Sequence, residues 1–187
     1  SIPYKEKILD YLDFKDAVVE KISACNCIKI IDNRIYGFNT DVVGFESSFV
    51  KHLRTHHVKA LILGNGGGAK AVKYVLEKLN IEYKIVVRNL DETTNLISYN
   101  QLNKETLESH QIIINTTPVG TYPNVDDYPK IPYQFLNQQH YLFDLVYNPN
   151  LTTFMQKGIE QNATVKNGYE MLCLQAEENW RIWNEIK

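Results

Sequence analysis

Cysteine is scarce in this 187-residue chain, and its placement excludes more than its number does. Cys25, Cys27 and Cys173 are odd in count, and a C-x-C spacing suits neither a disulfide framework nor a zinc site. They read as small buried hydrophobes in a reducing cytoplasm. No apolar run approaches the roughly 18 residues a membrane-crossing helix needs, and the N-terminus lacks a charged-then-apolar signal pattern. Neither sign of charge dominates. Lys and Arg number 20 against 22 Asp and Glu, a net charge of -2, which gives no electrostatic reason to expect nucleic acid or an anionic membrane as partner. A metal site is not expected either. His52 and His56 stand at i, i+4 but have no third ligand nearby, so with Lys51, Arg54 and His57 they read as a basic helix end. His110 and His140 stand alone before strands and are expected to face solvent. There is no internal repeat and no low-complexity tract. An initiator methionine is also missing from the opening Ser1-Ile2-Pro3-Tyr4-Lys5, as a processed or truncated product would show.

What is present has ordinary globular proportions, 44% hydrophobic and 22% charged. Residues 5–12 and 16–24 have helix-compatible apolar spacing. Two β-rich runs, 27–31 and 34–38, flank an Asp32-Asn33 turn and predict a hairpin. Residues 42–53 read as helix. From residue 58 the pattern becomes strand (58–63), helix (68–79) and strand (81–87), with further strands at 111–115, 141–147 and 163–165. Strands alternating with helices imply a parallel sheet covered on both faces. A last helix over 169–186 sets Leu172, Ala176, Trp180 and Trp183 on one stripe.

The chemistry begins at Gly64-Asn65-Gly66-Gly67-Gly68, directly after an apolar strand and opening a helix. A phosphate chain needs backbone N–H donors without side-chain obstruction, and glycines at a helix N-terminus supply both. Alone, the pattern also suits an ordinary αβ turn; the flanking strand, helix and second strand favour a dinucleotide pyrophosphate. Cofactor choice is read at the end of the second strand, where an acid suits a ribose 2′-hydroxyl and a base suits a 2′-phosphate. Here stands Arg88, with no acid before Asp91, which favours NADP over the alternative of a surface arginine.

Seven blocks, in order along the whole chain, resemble shikimate dehydrogenase, the NADP-dependent enzyme that reduces 3-dehydroshikimate. Ser1-Ile2-Pro3-Tyr4-Lys5 is similar to the family's Thr-x-Pro-x-Lys, Ala24-Cys25-Asn26 to Ala-Val-Asn, and Gly37-Phe38-Asn39-Thr40-Asp41 to Gly-x-Asn-Thr-Asp. The glycine turn departs from Gly-Ala-Gly-Gly-Ala at Asn65 and Gly68. Asn115-Thr116-Thr117-Pro118-Val119-Gly120, Asp144-Leu145-Val146-Tyr147-Asn148-Pro149 and Asn167-Gly168-Tyr169-Glu170-Met171-Leu172-x-x-Gln175 resemble the remaining signatures. The cofactor segment reads Val87-Arg88-Asn89 where the family has Asn-Arg-Thr. Some sixty N-terminal residues of the family pattern, including a Ser-x-Ser pair on the substrate carboxylate, have no counterpart.

The resemblance implies an α/β fold. Its parts are a Rossmann-like parallel-sheet NADP-binding domain over 42–166, a partial α/β substrate-binding domain over 1–41, and a C-terminal helix over 167–187 that returns to complete it. It implies catalysis by Lys5 and Asp41, which read alone would be a surface lysine and a helix N-cap. Substrate contacts fall to Ser1, Lys5, Asn26, Asp41, Tyr147 and Gln175. Cofactor contacts fall to Gly64, Asn65, Gly66, Gly67, Gly68, Arg88, Thr116, Leu145, Gly168 and Met171. Read without the family, Asn26 is a loop residue, Gln175 a solvated helix position and Tyr147 core. The implied activity is reversible NADPH-dependent reduction of 3-dehydroshikimate to shikimate, a step of chorismate and aromatic amino-acid biosynthesis. The implied enzyme is a cytoplasmic monomer or homodimer whose partner is a small-molecule substrate. The alternatives are a quinate-using relative and, because the N-terminal pattern is missing, a non-catalytic nucleotide-binding fragment.

Overall fold

In the computed structural model the described residues are 4–88 and 96–185. Ser1 and Asn89 lie outside them. The amino-terminal part holds a 3-10 turn (Lys7–Tyr11) in place of the helix expected over 5–12, then β1 (Phe14–Lys15), α1 (Ala17–Ile22), β2 (Cys27–Ile31) and β3 (Arg34–Phe38). The hairpin forms as its sequence dictates. Asp32 and Asn33 both adopt left-handed backbone (φ 50° and 60°), the turn whose twist matches two flanking strands. β1 then adds in parallel to the other side of β3.

Next come α2 (Asp41–Phe49), β4 (Lys59–Leu63), α3 (Gly67–Lys78), β5 (Glu82–Val87), β6 (Leu96–Ser98), α4 (Lys104–Ser109), β7 (Ile112–Asn115), β8 (Tyr141–Asp144), α5 (Thr153–Ile159), β9 (Thr164–Asn167) and α6 (Tyr169–Asn184). Six of these strands form one parallel sheet in the order β6-β5-β4-β7-β8-β9. The order reverses between β4 and β7. At such a switch point the loops leaving two strands diverge to opposite faces and open a crevice at the carboxyl edge.

Both faces of the sheet are covered, which explains the unbroken apolar runs. Ala60, Ile62, Ile112, Ile114, Tyr141 and Phe143 pack on α2 and α3, while Leu61, Leu63, Ile113 and Leu142 face the other way. α2 and α6 lie against one another, with Gly44 at the contact: a Cβ there would stand 2.5 Å from the Met171 carbonyl oxygen. That glycine carried no signal in the sequence.

Several expectations are corrected. β8 stops at Asp144 rather than 147, because the Asp144 carboxylate accepts the Val146 N–H at 3.0 Å and turns the chain. β9 is shifted to Thr164–Asn167. The Leu172-Ala176-Trp180-Trp183 stripe does not face the core: Trp180 is 67% and Trp183 51% exposed, while Met171 and Ile182 are buried. The face of α6 turned to α2 carries Met171, Gln175 and Asn179, of which only the first is apolar, so apolar spacing picked the wrong face. Cys25 and Cys27 are buried as expected, whereas Cys173 is only half-buried.

His110 and His140 do not face solvent; with His57 they are buried. His57 Nδ1 accepts the Arg54 N–H at 3.1 Å and its Nε2 lies 2.9 Å from the Gln139 carbonyl oxygen. His140 Nδ1 accepts the Asn137 N–H and its Nε2 lies 3.0 Å from the Leu107 carbonyl oxygen. His110 Nδ1 lies 2.9 Å from the Thr106 carbonyl oxygen. The rings tie loops at the amino edge of the sheet, opposite the crevice, and burial pushes all three pKa values below 6.5.

Candidate active site

The glycine turn leaves β4 at the switch point. Gly64 has φ +97°, where side chains are strained, and a Cβ would also meet Thr117 Cγ2 at 2.7 Å. Gly66 is the N-terminal cap of α3, with no side chain capping the helix and no atom within 4 Å of an added Cβ. An open glycine at the uncapped start of a 12-residue helix fits a phosphate, which takes unpaired N–H groups and needs a near approach. Gly68 lies under Leu145, whose Cδ2 would stand 3.0 Å from a Cβ.

The loop after β7 closes the other side of the crevice. Thr116 N–H and Oγ1 both donate to the Leu63 carbonyl oxygen, at 3.0 and 2.8 Å. Asn115 and Asp144, fully buried at the ends of adjacent strands, are joined by a 2.9 Å hydrogen bond, and Thr152 Oγ1 donates to Asp144 at 2.6 Å. Burial pushes the Asp144 carboxyl up to about 6 against these donors. The network fixes where Thr116 and Leu145 leave the sheet.

Gly168 is tightly packed against the chain leaving β8. Its backbone is ordinary, but a Cβ would fall 2.3 Å from the Leu145 carbonyl oxygen. Met171, one turn on, is buried in the core cluster against which Leu145 packs.

Across the crevice, Lys5 Nζ forms an ion pair with Asp41 Oδ2, and both side chains are largely buried. Asp41 is the first residue of α2, not its cap. Thr40 holds the cap position, which leaves the carboxylate free for Lys5 and for Asn26 Nδ2 at 2.9 Å. Lys5 is held at its backbone too, since its carbonyl accepts the Cys25 N–H at 2.8 Å. Its stem runs past the glycine turn: Lys5 Cδ lies 3.9 Å from where a Gly67 Cβ would stand. The ion pair and the phosphate turn therefore belong to one crevice.

Asn26 is more than a loop residue. Its Oδ1 accepts the Thr40 N–H at 2.8 Å, and its Nδ2 also donates to Thr40 Oγ1 at 3.1 Å. Thr40 Oγ1 donates to Asn179 Oδ1 at 2.7 Å, and Asn179 Nδ2 donates to Gln175 Oε1 at 3.2 Å. Lys5, Asp41, Asn26 and Gln175 thus hang on one hydrogen-bonded chain. Its connectors Thr40 and Asn179 were missed because their role exists only once α6 lies against α2. Tyr147 is 45% exposed, not in the core. Asn65 and Arg88 are exposed at the outer end of the turn. Among the described residues no cluster of His, Cys, Asp or Glu is placed to hold a metal. No helix among them is long and apolar enough to cross a membrane.

A doubly wound parallel sheet with a glycine turn at its switch point, facing a buried lysine–aspartate pair, defines the class of nicotinamide-dependent oxidoreductases. Comparison with known proteins narrows it. No protein-family model matches the chain. Shikimate dehydrogenase (NADP(+)) of Clostridium beijerinckii is 37% identical over the whole chain, which covers 71% of that relative. The crystal structure of a chorismate mutase/shikimate 5-dehydrogenase fusion protein from Clostridium acetobutylicum superposes with a TM-score of 0.86 at 31% identity, covering all of this chain and 70% of the other. Shikimate 5-dehydrogenase from Thermus thermophilus, solved in complex with NADP(H) and shikimate, gives a TM-score of 0.85 at 27% identity, covering all of this chain and 72% of the other. The chain belongs to the shikimate dehydrogenase family.

Proposed function

We propose that the chain reduces 3-dehydroshikimate to shikimate, reversibly, with NADP(H), using Lys5 and Asp41 as its catalytic pair. The observation that carries this reading is the Lys5–Asp41 ion pair set against the glycine turn. Gly64–Gly68, with Arg88, Thr116, Leu145, Gly168 and Met171, would hold NADPH, which would supply the hydride. The rest falls to side chains. A ketone oxygen gaining negative charge needs a cationic donor, and the Lys5 ammonium is the group in reach that both stabilises that charge and yields a proton to it. Asp41 holds the ammonium in place, and Asn26 fixes the second carboxylate oxygen. Gln175, Tyr147 and Ser1 complete the substrate contacts. The three free thiols Cys25, Cys27 and Cys173 support a cytoplasmic location for this enzyme, acting as a monomer or homodimer. Residues 1–41 and 167–187 form its substrate side and 42–166 its cofactor side.

The test is Lys5→Ala. Formation of NADPH from shikimate and NADP, followed by absorbance at alkaline pH, should fall about 100- to 10,000-fold, as for the loss of a general acid. The dissociation constant for NADPH should stay within about twofold, since Lys5 touches the turn only with its stem. Near-normal turnover would remove Lys5 from the mechanism.

A further inference from the structure

Lys73 stands seven residues into α3, beyond the turn itself, yet its Nζ donates to Asn65 Oδ1 at 3.1 Å. The path of that side chain locates it. Tyr83 on β5 donates to Glu77 Oε1 at 2.9 Å, which fixes the Glu77 side of α3 over β5. Lys73 lies one turn nearer the amino end of the helix on that same side, towards the carboxyl end of β5. Helical side chains lean towards the N-terminus, so its ammonium is carried further in that direction, to the turn. Leu63 pairs with Val86, and Gly64 N–H donates to the Val86 carbonyl. Asn65 and Arg88 therefore both follow the carboxyl ends of adjacent strands, on the same edge of the sheet. The lysine held on Asn65 and the arginine at the end of β5 thus stand at the same rim of the crevice.

Among the described residues neither Lys73 nor Arg88 forms an ion pair, although Lys5, Lys70 and Lys78 close by each have one. Burial and the neighbouring Lys70 lower the Lys73 pKa, outweighing the opposite pull of Glu77 one turn along α3. We infer that Lys73 is a specificity-determining residue for the dinucleotide, its ammonium and the Arg88 guanidinium together receiving the ribose 2′-phosphate. This rests on the reading of NADP(H) as cofactor. A phosphate near two charges takes more than one cation, and the two types divide the work. Arginine presents a planar fork, and lysine a compact point charge that Asn65 aims. A 2′-hydroxyl offers no charge to either, so Lys73 acts on one dinucleotide and not the other.

The probes are 2′,5′-ADP and 5′-ADP, titrated calorimetrically into the wild-type protein and into Lys73→Met, Lys73→Arg and Arg88→Gln. Lys73→Met should weaken 2′,5′-ADP roughly tenfold or more, as for loss of a charge-assisted contact, and leave 5′-ADP within about twofold. Lys73→Arg should keep most of the preference. The ratio of kcat/KM for NADPH over NADH should fall in step with the Lys73→Met binding loss. Equal weakening of both ligands, or no weakening of either, in Lys73→Met overturns the assignment of Lys73. If Arg88→Gln alone abolishes the preference, the NADP(H) reading stands and Lys73 is overturned by itself. A wild-type protein that does not prefer 2′,5′-ADP overturns both.

Discussion

Replacing Gly66 by alanine separates what the glycine turn does for the fold from what it does for a ligand. The backbone at Gly66 is extended (φ -86°, ψ -169°), a conformation alanine adopts without strain, and no atom lies within 4 Å of the added Cβ. Two small terms remain. Alanine is a poorer N-cap than glycine, which costs about 0.5–1 kcal/mol at the start of α3. It also restricts the unfolded chain, which returns about 0.4–1 kcal/mol. The net change is about 0.5 kcal/mol or less. For a chain of this size, where 1 kcal/mol moves Tm by about 2–4 °C, the melting temperature should shift by no more than about 2 °C. The methyl group nevertheless stands at the mouth of an uncapped helix, where a pyrophosphate must approach backbone N–H groups. Loss of that approach should weaken NADPH binding at least about tenfold, or 1.4 kcal/mol. Thermal melts without ligand and a fluorescence titration with NADPH read the two effects independently. If Gly66→Ala binds NADPH within about twofold of wild type, the phosphate does not sit at this turn. A fall in Tm beyond about 5 °C would show instead that Gly66 is a packing residue.

Gly168→Ala should do the reverse. The atom its Cβ meets at 2.3 Å is backbone, the Leu145 carbonyl oxygen, which cannot swing away. Destabilisation of about 3 kcal/mol, the upper end for overpacking, should lower Tm by roughly 6–12 °C; an unchanged melt would mean that α6 shifts freely off β8. Acid should also destabilise the fold in a defined window. His57, His110 and His140 have folded pKa values below the ordinary 6.5, so at lower pH the unfolded chain takes up protons the folded chain refuses. Stability from those rings is complete above about pH 7.5 and declines as pH falls through 6.5 towards the folded values. Asp144, with its carboxyl raised to about 6, has the opposite sign but acts chiefly below pH 6. Urea midpoints should therefore fall between pH 7.5 and 6, with the three imidazole ring protons still untitrated at 6.5 by NMR. Rings that titrate near 6.5 would contradict their buried, neutral state.

Which features were legible in the sequence follows from how local their causes are. The hairpin over residues 27–38 was readable because its strands pair across a two-residue turn and its residues tolerate left-handed backbone, all within twelve positions. The sheet's strands β4 and β7 were readable because burial on both faces leaves an apolar run. The short elements escaped. β1 has two residues and β6 three, and each exists only because a distant strand offers it an edge. The histidines escaped for the same reason. A ring before a strand looks solvated until the Leu107 or Gln139 carbonyl is folded onto it.

The crevice shows the same divide more sharply. The glycine turn is local, so its phosphate role could be argued from spacing, whereas nothing within the chain's first twenty residues marks Lys5 out from a surface lysine. What distinguishes it is Asp41, thirty-six positions away, together with the Cys25 N–H on its carbonyl and the glycine turn along its stem. Gln175 is connected to that pair only through Asn179 and Thr40, on helices brought together by the absence of a side chain at Gly44. Resemblance to a family carried those residues across the gap that periodicity could not. It did not carry Asn179, Gly44 or Lys73, because each acts through a contact that a motif does not spell out. The geometry had to supply them.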